Sequence, residues 1–335
     1  MTARNIWIGV SMEKEICKQY GFKNINLSRI LTGVGAFTYL VETNCDKYIL
    51  KGVPCNDNYI QNEPNIAEFL IHSEIPVAEY IKNKDGQYIW THGGNQYHMQ
   101  RFVDGISFSF NGAPDWFMRE SAAMLGKIHT VLSGFKPLPV GMGEGFLHFM
   151  KSDHPQNSYQ KTLEKARNLD HSDIASDVAY RLSLVGCLRN KAFDLSQFTC
   201  CNTHGDYKIS QILCNNDNIA AIIDWTSACI HPVCWEIIRS FTYADPSCKD
   251  GDIDCDKLVE YVKVYIQYHP LNEYDLKMMP YFFYHQLLAC DYYDQYYGAS
   301  GANRDDFLFQ AKFSTRLIRW FEKNADDLSG KLCSI

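Results

Sequence analysis

Most of the apolar residues in the first hundred positions fall in short extended runs, whereas beyond them they mainly recur every three or four. Between Ile25 and Val53 the segment INLSRILTGVGAFTYLVETNCDKYILKGV holds three extended runs, broken by TGVGA and by the turn-former cluster NCDK. Extended runs punctuated in this way predict a meander of three antiparallel strands. Ahead of them, residues 11–20 (SMEKEICKQY) read as a short helix ended by Gly21. After them Ile60, Ile66, Phe69 and Leu70 fall at helical spacing, with Pro64 marking a boundary or kink near the start. IPVAEYI, GQYIWTH and NQYHMQRFV supply further strands, with KDG and GGN as turns.

After Gly105 the period lengthens. Pro114 and Asp115 open a helix that Gly134 closes, and Phe117, Met124, Leu125, Ile128 and Leu132 form one of its faces. The remainder reads as mainly helical, apart from residues 203–224. There THGDYKISQIL, the turn NNDN and the apolar run IAAIIDW make a hairpin that ends at Asp224. A strand-rich part, 1–101, followed by a helix-rich part, 102–335, predicts an α+β fold of two lobes. No internal repeat or low-complexity tract interrupts it.

Composition narrows the classes of function. The chain has 335 residues, 46% of them hydrophobic, enough for one or two cores. Thirty-two basic against thirty-nine acidic residues give a net charge of −7, with no Lys/Arg-rich run to offset it. That balance repels a phosphate backbone or an anionic bilayer, so neither nucleic acid nor membrane is an expected partner. No apolar run approaches the roughly 20 residues needed to span a bilayer. MTARNIWIGVSMEKE lacks the features of a signal peptide. The 13 cysteines include no C-x-x-C and no zinc-finger spacing, which suits reduced thiols in a cytoplasmic protein. Cys200 and Cys201 are read as such thiols despite their closeness to His204.

The candidate chemistry lies in the hairpin. Asp206, Asp224 and the amide carbonyl of Gln211 are hard oxygen donors that a hairpin could bring together on a metal ion. Phosphoryl transfer needs such ligands together with a backbone loop over phosphates, a lysine on them, and a carboxylate near the acceptor hydroxyl. Gly33 and Gly35 flank Val34 between the first two strands, Lys51 ends the third after an apolar run, and Glu63 begins the next helix. Each also has a plainer reading: a hairpin glycine, a solvent-facing lysine, a structural glutamine.

Together these stretches resemble the aminoglycoside phosphotransferase and choline kinase family, relatives of protein kinases that carry HGD-x-x-x-x-N and then a strand ending in I-D-W or I-D-F. Ile75-Pro76-Val77, the hinge-like MQRFVDG (Met99 to Gly105) and LGKIH (Leu125 to His129) follow the same order, so the likeness spans positions 31 to about 243. The resemblance implies a protein-kinase-like bilobal fold with an antiparallel-sheet, nucleotide-binding lobe over 1–101 and a mainly helical catalytic and substrate-binding lobe over 102–335. It implies Asp206 as catalytic base, Asp224 as a ligand of Mg²⁺, Lys51 on the nucleotide phosphates, and Glu63 orienting Lys51. Gly33 and Gly35 would approach the phosphates, the backbone of Gln100 and Phe102 would bind the nucleobase with Met99 behind it, and Lys208 would face the transferred phosphate. Gln211 departs from the family's asparagine but keeps the amide oxygen on a longer stem.

The implied activity is transfer of the γ-phosphate of ATP or GTP to a hydroxyl of an amino sugar, amino alcohol or related metabolite. The alternative is a catalytically silent nucleotide-binding or scaffold protein of the same fold. The sequence leaves the oligomeric state open. His204 and His129 are read as structural, as is Glu236, and 245–256 as a solvated loop. Asp291 and Asp294, three apart among four tyrosines in LLACDYYDQYYG, are expected on one helical face, where carboxylates and rings suit an ammonium-bearing acceptor.

Overall fold

The computed structural model describes residues 3–30, 37–55 and 60–335. Gly33 and Gly35 lie outside the described residues. The chain forms two compact units: the first runs to Ile106 and takes in Leu213–Asn215 and Ala220–Thr226, and the second holds Ser107–Ile212, Asn216–Ile219 and Ser227–Ile335. A boundary drawn once along the chain, as at residue 101, does not capture the late segments that join the first unit.

In the first unit helix α1 (Ala3–Tyr20) precedes strands β1 (Asn26–Ile30), β2 (Phe37–Glu42) and β3 (Lys47–Pro54). Helix α2 (Asn62–His72) and strands β4 (Tyr80–Ile81), β5 (Trp90–His92) and β6 (Asn95–Arg101) follow. The strands make one antiparallel sheet, ordered β1-β2-β3-β6-β4 with β5 also on β6. The predicted meander is present. Helix α1 begins well before residue 11, since no proline interrupts 3–20.

The two-residue period of β3 decides which side chains meet. Leu50 stands opposite Tyr39 and Met99, and Met99 stands opposite Ile81. With Met12, Ile16, Val41, Tyr48, Trp90 and Tyr97 these residues make a core against α1. Leu50 and Met99 are fully buried, each worth about 1.5–3 kcal/mol relative to exposure. Lys51, one residue on, stands opposite Thr38 and His98 and so projects from the other face, towards Glu63 in the first turn of α2. It lies inside the strand rather than at its end.

The second unit contains α3 (Asp115–Leu132), α4 (Glu144–Lys151), α5 (His154–Asn168) and α6 (Ser172–Leu184). Helix α3 starts after Pro114 and buries Phe117, Leu125, Ile128 and Leu132, with Met124 only half-buried at the margin of that face. Next come β7 (Cys200–Thr203), β8 (Ile212–Asn215), β9 (Asn218–Ile222) and β10 (Cys229–Pro232). The chain continues through α7 (Val233–Ala244), α8 (Cys255–Ile266), α9 (Glu273–Ala289), α10 (Tyr292–Gly298) and α11 (Ala302–Leu332).

The hairpin expected over 203–224 resolves into two ladders. β8 pairs with β9 through Asn216 and Asp217, whose positive φ angles of 42° and 61° match the two-residue turn that a right-twisted hairpin prefers. β7 pairs instead with β10, Thr203 standing opposite Cys229. Helix α7, which follows β10, is buried at every position except Arg239. Among the described residues no helix is long and apolar enough to cross a membrane.

Candidate active site

In the first unit one lysine serves two carboxylates. Lys51 Nζ lies 3.2 Å from Glu63 Oε1 and 2.7 Å from Asp224 Oδ1, and it also donates to the hydroxyl of Thr226. That hydroxyl in turn donates to Asp224 Oδ1 at 2.6 Å. Glu63, 1% exposed, has three further partners: the Tyr80 hydroxyl at 3.2 Å, His98 Nε2 at 3.3 Å and the Thr226 hydroxyl at 3.3 Å. Burial alone would push the Glu63 carboxyl up, but Lys51 and His98 outweigh it and hold the pKa down at about 2. Burial likewise opposes the charge on Lys51, and Glu63 and Asp224 overcome it, so its pKa is raised. Both groups are charged at neutral pH. Asp224, just past β9, has φ 64°, a left-handed conformation uncommon for any residue but glycine, and its side chain is 43% exposed.

In the second unit one carboxylate serves two cations. The loop after β7 is His204-Gly205-Asp206. Gly205 has φ +76°, and a Cβ there would lie 1.9 Å from the Ser227 carbonyl oxygen, so only glycine fits. Three bonds fasten the loop: Asp206 N–H donates to His204 Nδ1 at 3.2 Å, and the N–H groups of His204 and Tyr207 reach the buried Glu236 carboxylate at 3.3 and 3.2 Å. Glu236 is also bonded to His129 Nε2 at 2.9 Å, while His129 Nδ1 meets the Tyr265 hydroxyl at 2.7 Å. The structural readings of His204, His129 and Glu236 fit these contacts.

On that loop Asp206 Oδ1 accepts from Arg239 Nη2 at 2.5 Å, and Oδ2 from Lys208 Nζ at 2.9 Å and Gln211 Nε2 at 3.2 Å. Burial opposes the charge, but Arg239 and Lys208 prevail and hold the Asp206 pKa below the usual carboxylate value. The guanidinium of Arg239 lies against the rings of Trp235 and Tyr243, 5.3 and 5.0 Å from their centroids. The arrangement is an ionised, oriented carboxylate that can take a proton from an incoming hydroxyl.

Sequence reasoning named Lys51, Glu63, Asp224, Asp206, Lys208 and Gln211, but of the contacts above it anticipated the Lys51–Glu63 pair alone. It missed Thr226, His98, Tyr80 and Arg239. Two of these left a signal: His98 must face opposite to Met99, and Arg239 is the lone cation in the apolar run VCWEIIRSF.

Two expectations need correction. The N–H of Phe102 donates to the Lys47 carbonyl at 3.0 Å, so it is not the open donor that nucleobase recognition asks of it. Gln100 stands between Ile49 and Tyr80 in the sheet, and Met99 is fully buried. Asp291 and Asp294 do not form a carboxylate pair on a helix face. Asp291 is the N-cap of α10, accepting the Asp294 N–H at 3.1 Å, and it is buried beneath Ser158 and Thr162, which donate to it at 2.9 and 2.8 Å. Asp294 alone is exposed. Burial pushes the thiols of Cys200 and Cys201 up to about 11 and 12, which leaves them protonated and unreactive. In 245–256, Asp245 and Asp254 cap helical turns. Among the described residues no cluster of three or more His, Cys, Asp or Glu side chains could hold a metal ion.

The profile of the phosphotransferase enzyme family matches residues 26–257. The chain belongs to that family, and its enzymatic class is that of a phosphotransferase with an alcohol group as acceptor. An amicoumacin kinase solved with AMP-PNP and Ca²⁺ shares the fold at a TM-score of 0.64 and 12% identity, over 93% of this chain and 96% of that one. A spectinomycin phosphotransferase in complex with ADP and its antibiotic gives 0.60 and 12%, over 95% and 98%. A microcompartment-associated aminopropanol kinase gives 0.59 and 14%, over 96% and 98%. No curated protein sequence matches the chain.

Proposed function

We propose that this enzyme transfers the γ-phosphate of ATP or GTP to a hydroxyl of a small metabolite, with Asp206 as the base. The observation that carries the reading is the state of Asp206: ionised, and gripped at both oxygens by Arg239, Lys208 and Gln211 on a loop that only Gly205 permits. In the transfer the acceptor oxygen bonds to the γ-phosphorus. The bond from that phosphorus to the β,γ-bridging oxygen breaks, the nucleoside diphosphate leaves, and the hydroxyl proton passes to Asp206. Lys51, held in place by Glu63, would bind the nucleotide phosphates, and Lys208 would face the phosphate in transfer.

Asp224 and the amide oxygen of Gln211 are the side chains that would hold Mg²⁺. Both donors are hard oxygens, and a single carboxylate with one neutral oxygen is the small protein share that Mg²⁺ takes when phosphates and waters complete its shell. When bound, the ion would neutralise charge on the phosphates. The amine-bearing acceptors expected from the sequence lose their recognition pair, because Asp291 is occupied in capping α10.

The test is Asp206→Asn. Transfer to the acceptor should fall at least ~10²-fold, the scale of a lost general base, while the dissociation constant for AMP-PNP stays within about twofold. Near-normal turnover in this variant would remove Asp206 from the mechanism.

A further inference from the structure

Two arginines of the second unit are held largely out of solvent, and they differ in one respect. Arg181 is fully buried, and its guanidinium nitrogens all have oxygen partners: Nε with the Tyr159 hydroxyl at 2.9 Å, Nη1 with Ser314 at 2.9 Å, and Nη2 with the carbonyls of Leu287 and Cys290 at 2.6 and 2.8 Å. Arg239 spends Nη2 on Asp206, while its Nη1 is buried and has no hydrogen-bond partner among the described residues. An ionised donor left unbonded away from water is destabilising, and most buried polar groups avoid that state. The same fold unit satisfies Arg181 completely. Arg316 Nε is likewise buried without a partner among the described residues, but of these arginines Arg239 is the one bonded to Asp206, so its orphan lies where a ligand at the base can supply the missing acceptor.

Charge says which kind of ligand. Asp206 carries −1 and Lys208 and Arg239 carry +1 each, so the three together sum to +1. The Tyr243 ring beside Arg239 adds no negative charge, because burial pushes its hydroxyl up to about 12. Arg239 is also the one residue of α7 that is not buried. An ammonium group brought to this place would meet a net positive charge, whereas an anionic oxygen would complete it. A guanidinium fork suits carboxylate and phosphate in particular.

We propose that Arg239 recognises the acceptor, and that the alcohol phosphorylated by this enzyme carries an anionic oxygen, a carboxylate or a phosphate ester, which bonds to Nη1. The proposal rests on the phosphotransferase reading with Asp206 as base, and it narrows the acceptor class within that reading.

A matched set of alcohols tests it with the full-length enzyme and MgATP, following ADP release and the phosphorylated product. 4-Hydroxybutyrate, butane-1,4-diol and 4-aminobutan-1-ol differ only in terminal charge, and glycerol 3-phosphate against glycerol separates phosphate from carboxylate recognition. The anionic member should lead its neutral partner by at least ~10-fold in kcat/KM, as expected when a site is built to bond a missing group, and the amine should trail both. Arg239→Gln should shrink that lead to about threefold or less, and Arg239→Lys should keep part of it. Thermal melts verify that the variants fold, and if Arg239→Gln does not, Arg239→Lys carries the comparison.

Preference for the neutral or amine member overturns the proposal, as does a lead that survives in Arg239→Gln. A loss of AMP-PNP affinity as large as the loss of acceptor preference also overturns it, because Nη1 would then serve the transferred phosphate. Silence from all five alcohols with AMP-PNP still bound counts against it too. Failure of the kinase reading looks different: AMP-PNP then does not bind, or Asp206→Asn turns over as the wild type does.

Discussion

The two charged clusters are mirror images in sign. Around Lys51 one cation lies between the carboxylates of Glu63 and Asp224, and these three groups sum to −1. Around Asp206 one carboxylate lies between Lys208 and Arg239, for a sum of +1. Each cluster is therefore one charge short of balance, and the shortfall tells what it can receive. The first can take a cation and present a lysine to anionic phosphates. The second can take an anion beside a proton acceptor. They also differ in depth. Glu63 is 1% exposed, whereas the Asp206, Lys208 and Arg239 side chains are 21%, 18% and 13% exposed. Water reaches the first cluster at Asp224, 43% exposed, but not at Glu63, whereas in the second all three side chains are partly covered.

That difference can be broken by deleting one carboxylate from each. Glu63→Gln leaves Lys51 to Asp224 alone and takes the carboxylate from His98 and Tyr80, so unfolding stability should fall by about 3 kcal/mol. Asp206→Asn leaves Lys208 and Arg239, 18% and 13% exposed, without their carboxylate, and its cost should be smaller, about 1–2 kcal/mol. Denaturant titration of both variants checks the order. If Asp206→Asn proved the more destabilising, depth would not be what separates the clusters.

How much of this was legible in the sequence follows from what kind of contact each residue makes. The β1–β3 meander was, because NCDK is a local turn signal: the Thr43 hydroxyl accepts the N–H groups of Cys45 and Asp46 at 3.3 and 2.9 Å. Lys51, Glu63, Asp206 and Asp224 were, because a resemblance in motif order named them. β10 was not, since CIHP is short, ends in proline, and finds its partner only across the chain in β7. Thr226 was not, because packing rather than spacing brings it to Lys51, and Arg239 showed only as a lone cation in an apolar run, with no spacing to lead it to Asp206. Asp291 misled for a definite reason. A spacing of three places two residues on one helix face, but it is also the spacing from an N-cap to the N–H that it accepts, and the second use is the one α10 makes.

Acid titration sharpens the same comparison. The Glu63 carboxyl is held at about 2 against an ordinary value of 4.5. A depressed carboxylate contributes stability that is fully present above the unfolded pKa and disappears as pH falls through the folded one. The window is therefore pH 4.5 down to 2, and a shift of this size corresponds to about 3 kcal/mol. Asp206 is depressed as well, and its contribution has the same sign. Thermal midpoints across that range should drop more steeply in the wild type than in Glu63→Gln. Parallel curves would mean that Glu63 is not the group being titrated.

The smallest effect concerns Gln211, whose amide has two ends. The nitrogen end donates to Asp206 Oδ2 at 3.2 Å, so the end it would present to Mg²⁺ is the oxygen. Gln211→Ala removes both functions, and they can be read separately. Loss of the metal ligand should raise several-fold the Mg²⁺ concentration needed for half-maximal binding of AMP-PNP, a measurement in which no acceptor takes part. Loss of the bond to Asp206 should lower kcat at saturating Mg²⁺. Gln211→Asn keeps the amide on a shorter stem and should recover more of the metal dependence than of the Asp206 contact, since a bridging water can extend reach to an ion more readily than it can hold a carboxylate in one orientation. If Gln211→Ala lowered kcat and left metal-dependent nucleotide binding untouched, the glutamine would belong to the base alone, and Asp224 would be the ion's only side-chain ligand of the two.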